Sequence, residues 1–208
     1  MGKAGRRVGA QNSKTRDALL DCVERLMLEE GYAAVTYRAV AGKAGVTSGL
    51  VQYYFPTLDD IFVATIRRRT DRNLEQLIAA LRARPNELLH VMWEFSWDEA
   101  AGALITEFTA LANHRKSIGA LIADVVERTR QVQLVALTTY IQARNLPVDI
   151  SPGALLLLLS GIPKLLKLEA GIGVRTAHNE LVDEVQRRLS AVEPAESDGH
   201  APKREPKL

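Results

Sequence analysis

The side chains that most often take part in catalysis or metal binding are few and scattered in this chain. The one cysteine, Cys22, falls on an apolar helical stripe with no histidine nearby, which favours a core position. The four histidines show neither i, i+4 pairing nor cysteine partners, so their spacing predicts no metal site. The sequence has neither a glycine-rich phosphate loop nor a nucleophile elbow. We therefore expect a binding protein without catalytic residues or cofactor.

The composition is that of an ordinary folded protein, and its informative feature is the distribution of charge. The 208 residues have a net charge of +2 at pH 7. Residues 1–55 hold eight basic and five acidic side chains, whereas the remainder holds 19 basic and 20 acidic ones. A mildly basic N-terminal part suits DNA contact, although the excess is too small to decide it. The lone cysteine fits a reducing compartment, and neither a signal peptide nor a span of ~20 apolar residues is recognisable, so we expect a cytoplasmic protein without a membrane partner.

Helical periodicity extends over almost the whole sequence, and no long alternating run indicates a strand. Ser13 as N-cap and Gly31 as C-terminal stop bound the first predicted helix. Caps and breakers predict the later helices at 36–44, 47–54, 58–82, 86–98, 103–113, 116–144, 152–170 and 177–191. Thr57 and Asp60 have the spacing of a capping box at the start of the fourth helix.

The segment Thr36–Phe55 has the spacing of two helices that meet steeply through a short turn. Such a pair needs a small residue where the helices touch and a residue that tolerates positive φ in the turn. Ala41 supplies the contact and Gly45 the turn. The apolar residues that lock the two helices together are Val40, Ala44, Val46 and Val51. An αα-hairpin with a glycine turn has the same spacing, but the capped helix before the motif and the helical body after it favour a helix-turn-helix.

Five short elements stand in a fixed order around this motif. They are Gly31-Tyr32, Thr36-Tyr37-Arg38-Ala39-Val40-Ala41, Ala44-Gly45-Val46, Gly49-Leu50-Val51 and Tyr53-Tyr54-Phe55-Pro56. In this order they resemble the N-terminal pattern of the TetR family of bacterial transcriptional regulators, over about Ser13 to Ile66. The resemblance implies a regulator of the repressor type that binds a palindromic operator as a homodimer. It also implies that a small, often hydrophobic effector modulates the affinity for DNA.

Two residues depart from the family pattern. Gln52 stands where the family usually has Tyr, and Leu58 stands where it usually has Lys. Both usual residues tend to contact phosphate, so the departures affect the expected contacts to the DNA backbone rather than the fold. The amide of Gln52 can instead pair bidentately with adenine, which makes it a candidate reader of base edges.

A DNA-contacting surface is predicted from position within the second and third helices. The start of the second helix offers free backbone N–H groups and a dipole that attracts phosphate, and the outward face of the third should enter the major groove. The predicted DNA-binding residues are Thr36, Tyr37, Arg38, Lys43, Thr47, Ser48, Gly49, Gln52, Tyr53 and Tyr54. Arg6 and Arg7 either reach a minor groove or belong to a merely solubilising tail.

Two helices of the body are apolar on more than one side. The segment 154–166 reads ALLLLLSGIPKLL, and the helix 116–144 has apolar residues both on and off its main stripe. Two such helices from each subunit would form a four-helix bundle across a two-fold axis, unless both are central helices of a monomer. The resemblance implies the dimer. The predicted interface residues are Leu121, Val125, Leu155, Leu158, Leu159 and Ile162.

Aromatic residues are concentrated at 93–108, where both tryptophans and two of the four phenylalanines fall. They could line an apolar effector cavity with a few polar anchors, or be ordinary core residues. The predicted effector-binding residues are Trp93, Trp97, Phe108, Glu94 and Glu107. The tryptophans share one helix face, Phe108 would close over it, and the two glutamates would meet a cationic or hydroxyl group.

The sequence thus predicts an all-α chain in which an N-terminal three-helix helix-turn-helix domain is followed by a helical effector-binding and dimerisation domain. The expected bounds are a flexible basic arm at 1–12, the DNA-binding domain at 13–56, the second domain at 57–192 and a disordered tail at 193–208. The competing classes are a helical ligand-binding or scaffold protein and an all-α enzyme. The helix-turn-helix spacing argues against both.

Overall fold

The computed structural model describes residues 14–101 and 104–194. Every regular element in this part of the chain is helical. The helices are α1 Lys14–Glu30, α2 Tyr37–Ala44, α3 Ser48–Tyr54, α4 Leu58–Ala83, α5 Leu88–Ala101, α6 Leu104–His114, α7 Lys116–Arg144, α8 Pro152–Gly171 and α9 His178–Val192, with a 3₁₀ turn at Tyr32–Ala34. The prediction of an all-α fold is confirmed, and α5 is the helix most displaced from its predicted bounds of 86–98. The predicted cap Ser13, the basic arm and residues 195–208 lie outside the described residues. Among the described helices, none is long and apolar enough to cross a bilayer.

Two compact units divide the chain. The first comprises residues 1–72 and 103–126, and the second comprises residues 73–102 and 127–208. The predicted domain bounds at 13–56 and 57–192 stay a prediction. The first unit takes in more of the chain than the helix-turn-helix because α6 packs on α1.

The first unit is built around the apolar stripe of α1. The residues of this stripe recur at helical spacing and are buried: Leu19, Leu20, Val23, Leu26 and Met27. Cys22 lies among them and is buried, in agreement with its predicted core position.

An arginine of α4 fixes that helix to α1. Arg68 Nη2 lies 2.5 Å from Glu24 Oε1 and 2.8 Å from Asp21 Oδ1, and Nη1 donates to the carbonyl of Asp17 at 2.9 Å. The guanidinium is mostly buried, so these charge-assisted bonds act in a medium less screened than water. They orient α4 where it leaves the DNA-binding helices.

In the second unit, α5 packs against α8. The buried side of α8 consists of Leu156, Leu159, Pro163 and Leu166. Its other side leaves a row of large apolar residues half exposed, and these are Leu157, Leu158, Leu165 and Leu168. The sequence shows that α8 is apolar on all sides. Within the chain, only one of these sides is buried.

The prediction of a disordered tail at 193–208 is wrong at its first residue, Glu193. It is buried rather than disordered, and its carboxylate accepts hydrogen bonds from the backbone N–H groups of Leu89 and His90 at 2.9 and 3.0 Å. His90 Nδ1 donates to the same carboxylate at 2.7 Å. The first N–H groups of a helix have no partner within the helix, so Glu193 acts as the N-terminal cap of α5 from the end of α9.

The charge of Glu193 is stabilised by the same contacts. Burial alone raises the pKa of this carboxyl, but the bonds from His90, the Leu89 N–H and Tyr140 outweigh burial, so the pKa of Glu193 lies below its usual value. A depressed folded-state pKa means that the stabilisation is present above the unfolded-state pKa and is lost as the pH falls through the folded-state value.

Glu193→Gln should lower the free energy of unfolding by about 2 kcal/mol at pH 7, because the amide cannot replace a carboxylate that accepts several N–H groups. Urea denaturation followed by circular dichroism measures the loss. The difference from the unchanged protein should shrink below about pH 4, as the wild-type carboxyl becomes protonated. Glu75→Gln, at an exposed position of α4, is the matched control and should leave stability nearly unchanged. An equal loss in both variants, or a loss independent of pH, would contradict the capping role.

Candidate nucleic-acid interface

The turn between α2 and α3 has the geometry that the sequence predicts. Gly45 adopts φ 68° and ψ 31°, in the left-handed region that a side chain disfavours. Its N–H and that of Val46 bond back to carbonyls near the end of α2, the latter to Ala41 at 3.0 Å. Ala41 and Val51 are fully packed at the crossing of the helices. The turn therefore fixes the direction of α3 relative to α2.

Side-chain caps fix the starts of these short helices. Thr36 Oγ1 accepts from the Ala39 N–H at 3.1 Å, and Thr47 Oγ1 accepts from the Leu50 N–H at 3.3 Å. Both predicted caps are present. The backbone N–H groups of the first residues of α2 still have no acceptor inside that helix.

The hydroxyl of Tyr37 is bonded within the chain, so the predicted phosphate contact of this residue stays a prediction for its backbone N–H group. Its hydroxyl donates to the carbonyls of Pro56 and Phe55, at 2.8 and 3.1 Å. Burial, and then the charge of Asp60, raise the pKa of Tyr37, so the hydroxyl stays a donor at neutral pH. Tyr37 thus connects the first turn of α2 to the residues that follow α3.

The outward face of α3 is open to solvent. The predicted DNA-binding residues that are exposed are Thr36, Arg38, Thr47, Ser48, Gly49, Gln52 and Tyr53. Tyr54 is half-buried and meets the ring of Tyr53 edge to face, with centroids 5.4 Å apart. A β-carbon added at Gly49 would meet no described atom within 4 Å. The packing of this chain therefore gives no reason for a glycine there.

Lys43 has an acidic partner inside the chain. Its ammonium group pairs with the Glu29 carboxylate at the end of α1. Arg38 is exposed, and within the described residues it forms no ion pair, so of these two basic side chains Arg38 is the one available to an anion.

The start of α4 explains one departure from the family pattern. Leu58 is half-buried and packs against the core of the first unit, where a lysine would lose these apolar contacts. The capping box before it is confirmed. Thr57 Oγ1 accepts from the Asp60 N–H at 3.1 Å, while the Asp60 carboxylate accepts from the Thr57 N–H at 2.9 Å.

Comparison with known proteins agrees with this geometry. Residues 19–65, which contain the helix-turn-helix, match the model of the bacterial regulatory proteins, tetR family. The helix-turn-helix domain of the chain is therefore of the tetR type. The resemblance carried by the elements from Gly31 to Pro56 is confirmed, and so is the expectation of a DNA-binding transcription regulator rather than an enzyme.

Related TetR-type proteins resemble the chain beyond this domain. The HTH-type transcriptional repressor BepR of Brucella suis biovar 1 (strain 1330) is 28% identical over 144 residues, which are 65% of this chain and 67% of BepR. A TetR transcription regulator from Haloarcula marismortui ATCC 43049 superposes with a TM-score of 0.67 at 18% identity, over 88% of this chain and 99% of that one. A transcriptional regulator from Saccharomonospora viridis, solved in complex with choline, gives 0.66 at 21% identity, over 86% and 95% of the two chains. The two solved structures show that the fold of this chain is shared over most of its length.

The predicted effector residues do not form one cluster. Trp93 and Trp97 belong to the core of the second unit, whereas Phe108 belongs to the core of the first, so Phe108 is not part of the tryptophan cluster. Glu107 accepts from the Tyr32 N–H at 2.6 Å, and the Glu94 carboxylate pairs with Arg84. Both glutamates therefore already have partners, and neither is the free anchor for a cation that the sequence suggested.

The predicted interface residues fall into three groups. Leu158 is 50% exposed, as an interface residue of an isolated chain should be. Leu159 and Val125 are buried within their own chain, so they are core residues rather than interface residues. Leu121 packs partly against the core of the first unit, and Leu155 and Ile162 pack partly against that of the second.

Two residues of the second unit were missed by the sequence-based prediction. Glu193 follows Leu189 by four positions, so continuing the apolar stripe of α9 would have placed it on the buried face. Lys167 interrupts the apolar run of α8, and its ammonium group lies over the ring of Trp97, 5.5 Å from the centroid. A charged residue between leucines of an apolar helix is the signal that points to it.

Tyr37→Phe should lower the free energy of unfolding by about 1 kcal/mol, because two carbonyls after α3 lose their donor. Urea denaturation of the full chain measures the change. Tyr53→Phe, at an exposed tyrosine of the next helix, should change stability by about 0.5 kcal/mol or less. If the Tyr37 variant is as stable as the unchanged protein, the hydroxyl does not hold α3 in place.

Proposed function

We propose that this chain is a TetR-family repressor that binds a palindromic operator as a homodimer, inserts α3 into the major groove and responds to a small effector bound in the second unit. The exposed face of α3, which includes Gly49 in its first turn, is the observation on which the proposal rests. The name repressor comes from BepR, whose identity to this chain is 28%.

Gly49 supports close approach of a partner to α3. A glycine inside a helix costs about 1 kcal/mol relative to alanine. Because no described atom of the chain would be hindered by a β-carbon at this position, close approach of a partner molecule accounts for the glycine. Ser48 and Gln52 flank it on the same exposed face, and both can bond to base edges.

The phosphate contacts of the proposed complex come from the start of α2. The backbone N–H groups of Tyr37 and Arg38 have no carbonyl four residues earlier in the helix, and the positive end of the helix dipole lies there. The Arg38 side chain adds a full charge at the same place. Lys43 would have to exchange Glu29 for a phosphate, so we assign it a smaller share of the affinity.

A second copy of the chain is the proposed partner of α8. One helix-turn-helix reads too few bases for specific affinity, and a two-fold dimer presents two half-sites. The half-exposed leucines of α8 form a row at helical spacing, and Val132 and Val135 of α7 are exposed apolar residues of the same unit. An exposed apolar row such as that of α8 marks an interaction site.

The DNA-binding proposal is tested by titrating the full chain onto a labelled duplex from upstream of its own gene, and onto a scrambled duplex, at several salt concentrations. The logarithm of affinity should fall with the logarithm of salt concentration by ~0.9 for each phosphate contacted. Gln52→Ala should weaken binding to the first duplex by about 1–3 kcal/mol, with little effect on the scrambled one, because a base-reading amide is lost.

Gln142→Ala, at an exposed position near the end of α7, is the matched control and should bind as the unchanged protein does. A response that is flat in salt would refute DNA binding. Equal weakening on both duplexes would mean that Gln52 holds only the sugar-phosphate backbone.

The dimer is tested with Leu158→Glu. A carboxylate at this half-exposed position is tolerated in a single chain but is costly if a second copy buries it. We expect a folded monomer in light scattering, with helical circular dichroism, that has lost affinity for the operator. Leu28→Glu is the control, because Leu28 of α1 is exposed to the same extent, 49% against 50%, and should leave the dimer intact. A Leu158→Glu chain that stays dimeric would contradict the proposed interface.

A further inference from the structure

The tryptophan pair of α5 presents two buried donors that lack acceptors. Trp93 and Trp97 are 3% and 5% exposed, and their rings meet edge to face with centroids 5.7 Å apart. Over the part of the chain that the structure describes, neither indole Nε1 has a hydrogen-bond partner. An indole N–H can only donate, and a buried donor without an acceptor is uncommon and unfavourable. The pair therefore lacks oxygen atoms that would accept from it.

The same contact between α5 and α8 also contains a cation without an anion. Lys167 of α8 is half-buried, and its ammonium group lies 5.5 Å from the centroid of the Trp97 ring. Among the described residues, Lys167 forms no ion pair with a carboxylate. A ring beneath an ammonium group attracts it but does not replace a negative charge.

Three carboxylates of this unit already have partners elsewhere. Glu94 of α5 pairs with Arg84, and Glu169 of α8 lies 2.8 Å from His178 Nε2. Glu193 caps the N-terminus of α5. The region around the tryptophans thus combines N–H donors and a positive charge with apolar surroundings, and Asp98 of α5 is exposed to solvent.

We infer that the effector of this regulator is a small amphipathic carboxylate, whose oxygens accept from the indole N–H groups of Trp93 and Trp97 and pair with Lys167 while its apolar part lies against the core of the second unit. The inference rests on the proposed function in that it takes the second unit to be the effector-binding part. It reverses the sequence-based expectation of a cationic or hydroxyl group held by Glu94 and Glu107. A cation would meet the ammonium group of Lys167 and two N–H donors here.

The test uses the full chain labelled with nitrogen-15 and sodium octanoate as the probe. The chain has two tryptophans, so its indole N–H groups give two cross-peaks, which Trp93→Phe and Trp97→Phe assign. Octanoate should move both peaks in a saturable manner, with the downfield proton shift of a stronger hydrogen bond. Calorimetry should show 1-octanol and octylammonium chloride, which share the chain length but lack the carboxylate, binding at least about tenfold more weakly.

Lys167→Met should weaken octanoate binding by about tenfold or more and leave 1-octanol binding within about twofold, because only the carboxylate uses the charge. Trp97→Phe keeps the ring and removes one donor, and it should weaken octanoate in the same selective way. Lys164→Met, three residues earlier on α8, is the matched control and should bind octanoate as the unchanged chain does. Equal binding of octanoate and 1-octanol, tighter binding of octylammonium, or indole peaks that do not move would overturn the inference.

The DNA titration without octanoate separates this inference from the proposed function. Octanoate binding in a chain that does not bind DNA would support the carboxylate site and refute the regulator. DNA binding in a chain that ignores octanoate would refute the carboxylate site and leave the regulator standing.

Discussion

The left-handed turn at Gly45 is the constraint on which the DNA-binding geometry depends. It allows the chain to leave α2 and begin α3 within three residues, so that Val51 packs inward while Ser48 and Gln52 point to solvent. Tyr37 then fixes the far end of α3 through its hydroxyl. A short helix has little stability of its own, and here the orientation of its outward face is set by the turn before it and the clamp after it.

The parts of this structure that the sequence predicted are those determined by nearby residues. Thr36, Thr47 and Thr57 bond to N–H groups three residues ahead, and such local bonds can be read from spacing alone. The inward face of α1, including Cys22, follows from helical periodicity in the same way. For these elements the prediction from the sequence agrees with the structure, because the interactions join residues about one helical turn apart.

The errors arose where the outcome depends on partners distant in the chain. Phe108 and Trp97 are eleven residues apart, yet they belong to different cores, and no periodicity reveals which helix each will meet. Glu107 reaches Tyr32, 75 positions earlier. Leu159 and Leu158 look alike in an unbroken leucine run, although one is buried and the other half exposed. Leu159 lies on the side of α8 that the rest of the chain covers, and Leu158 lies on the uncovered side.

The cap that Glu193 places on α5 has a consequence for the order in which the protein can be completed. Leu89 and Glu193 are 104 positions apart. During synthesis, α5 leaves the ribosome long before its capping residue has been translated. Its first turn then exposes N–H groups and apolar residues until α9 arrives. The second unit therefore reaches its final packing only after residue 193 has been translated, and a stop codon shortly before that position would leave α5 without its cap.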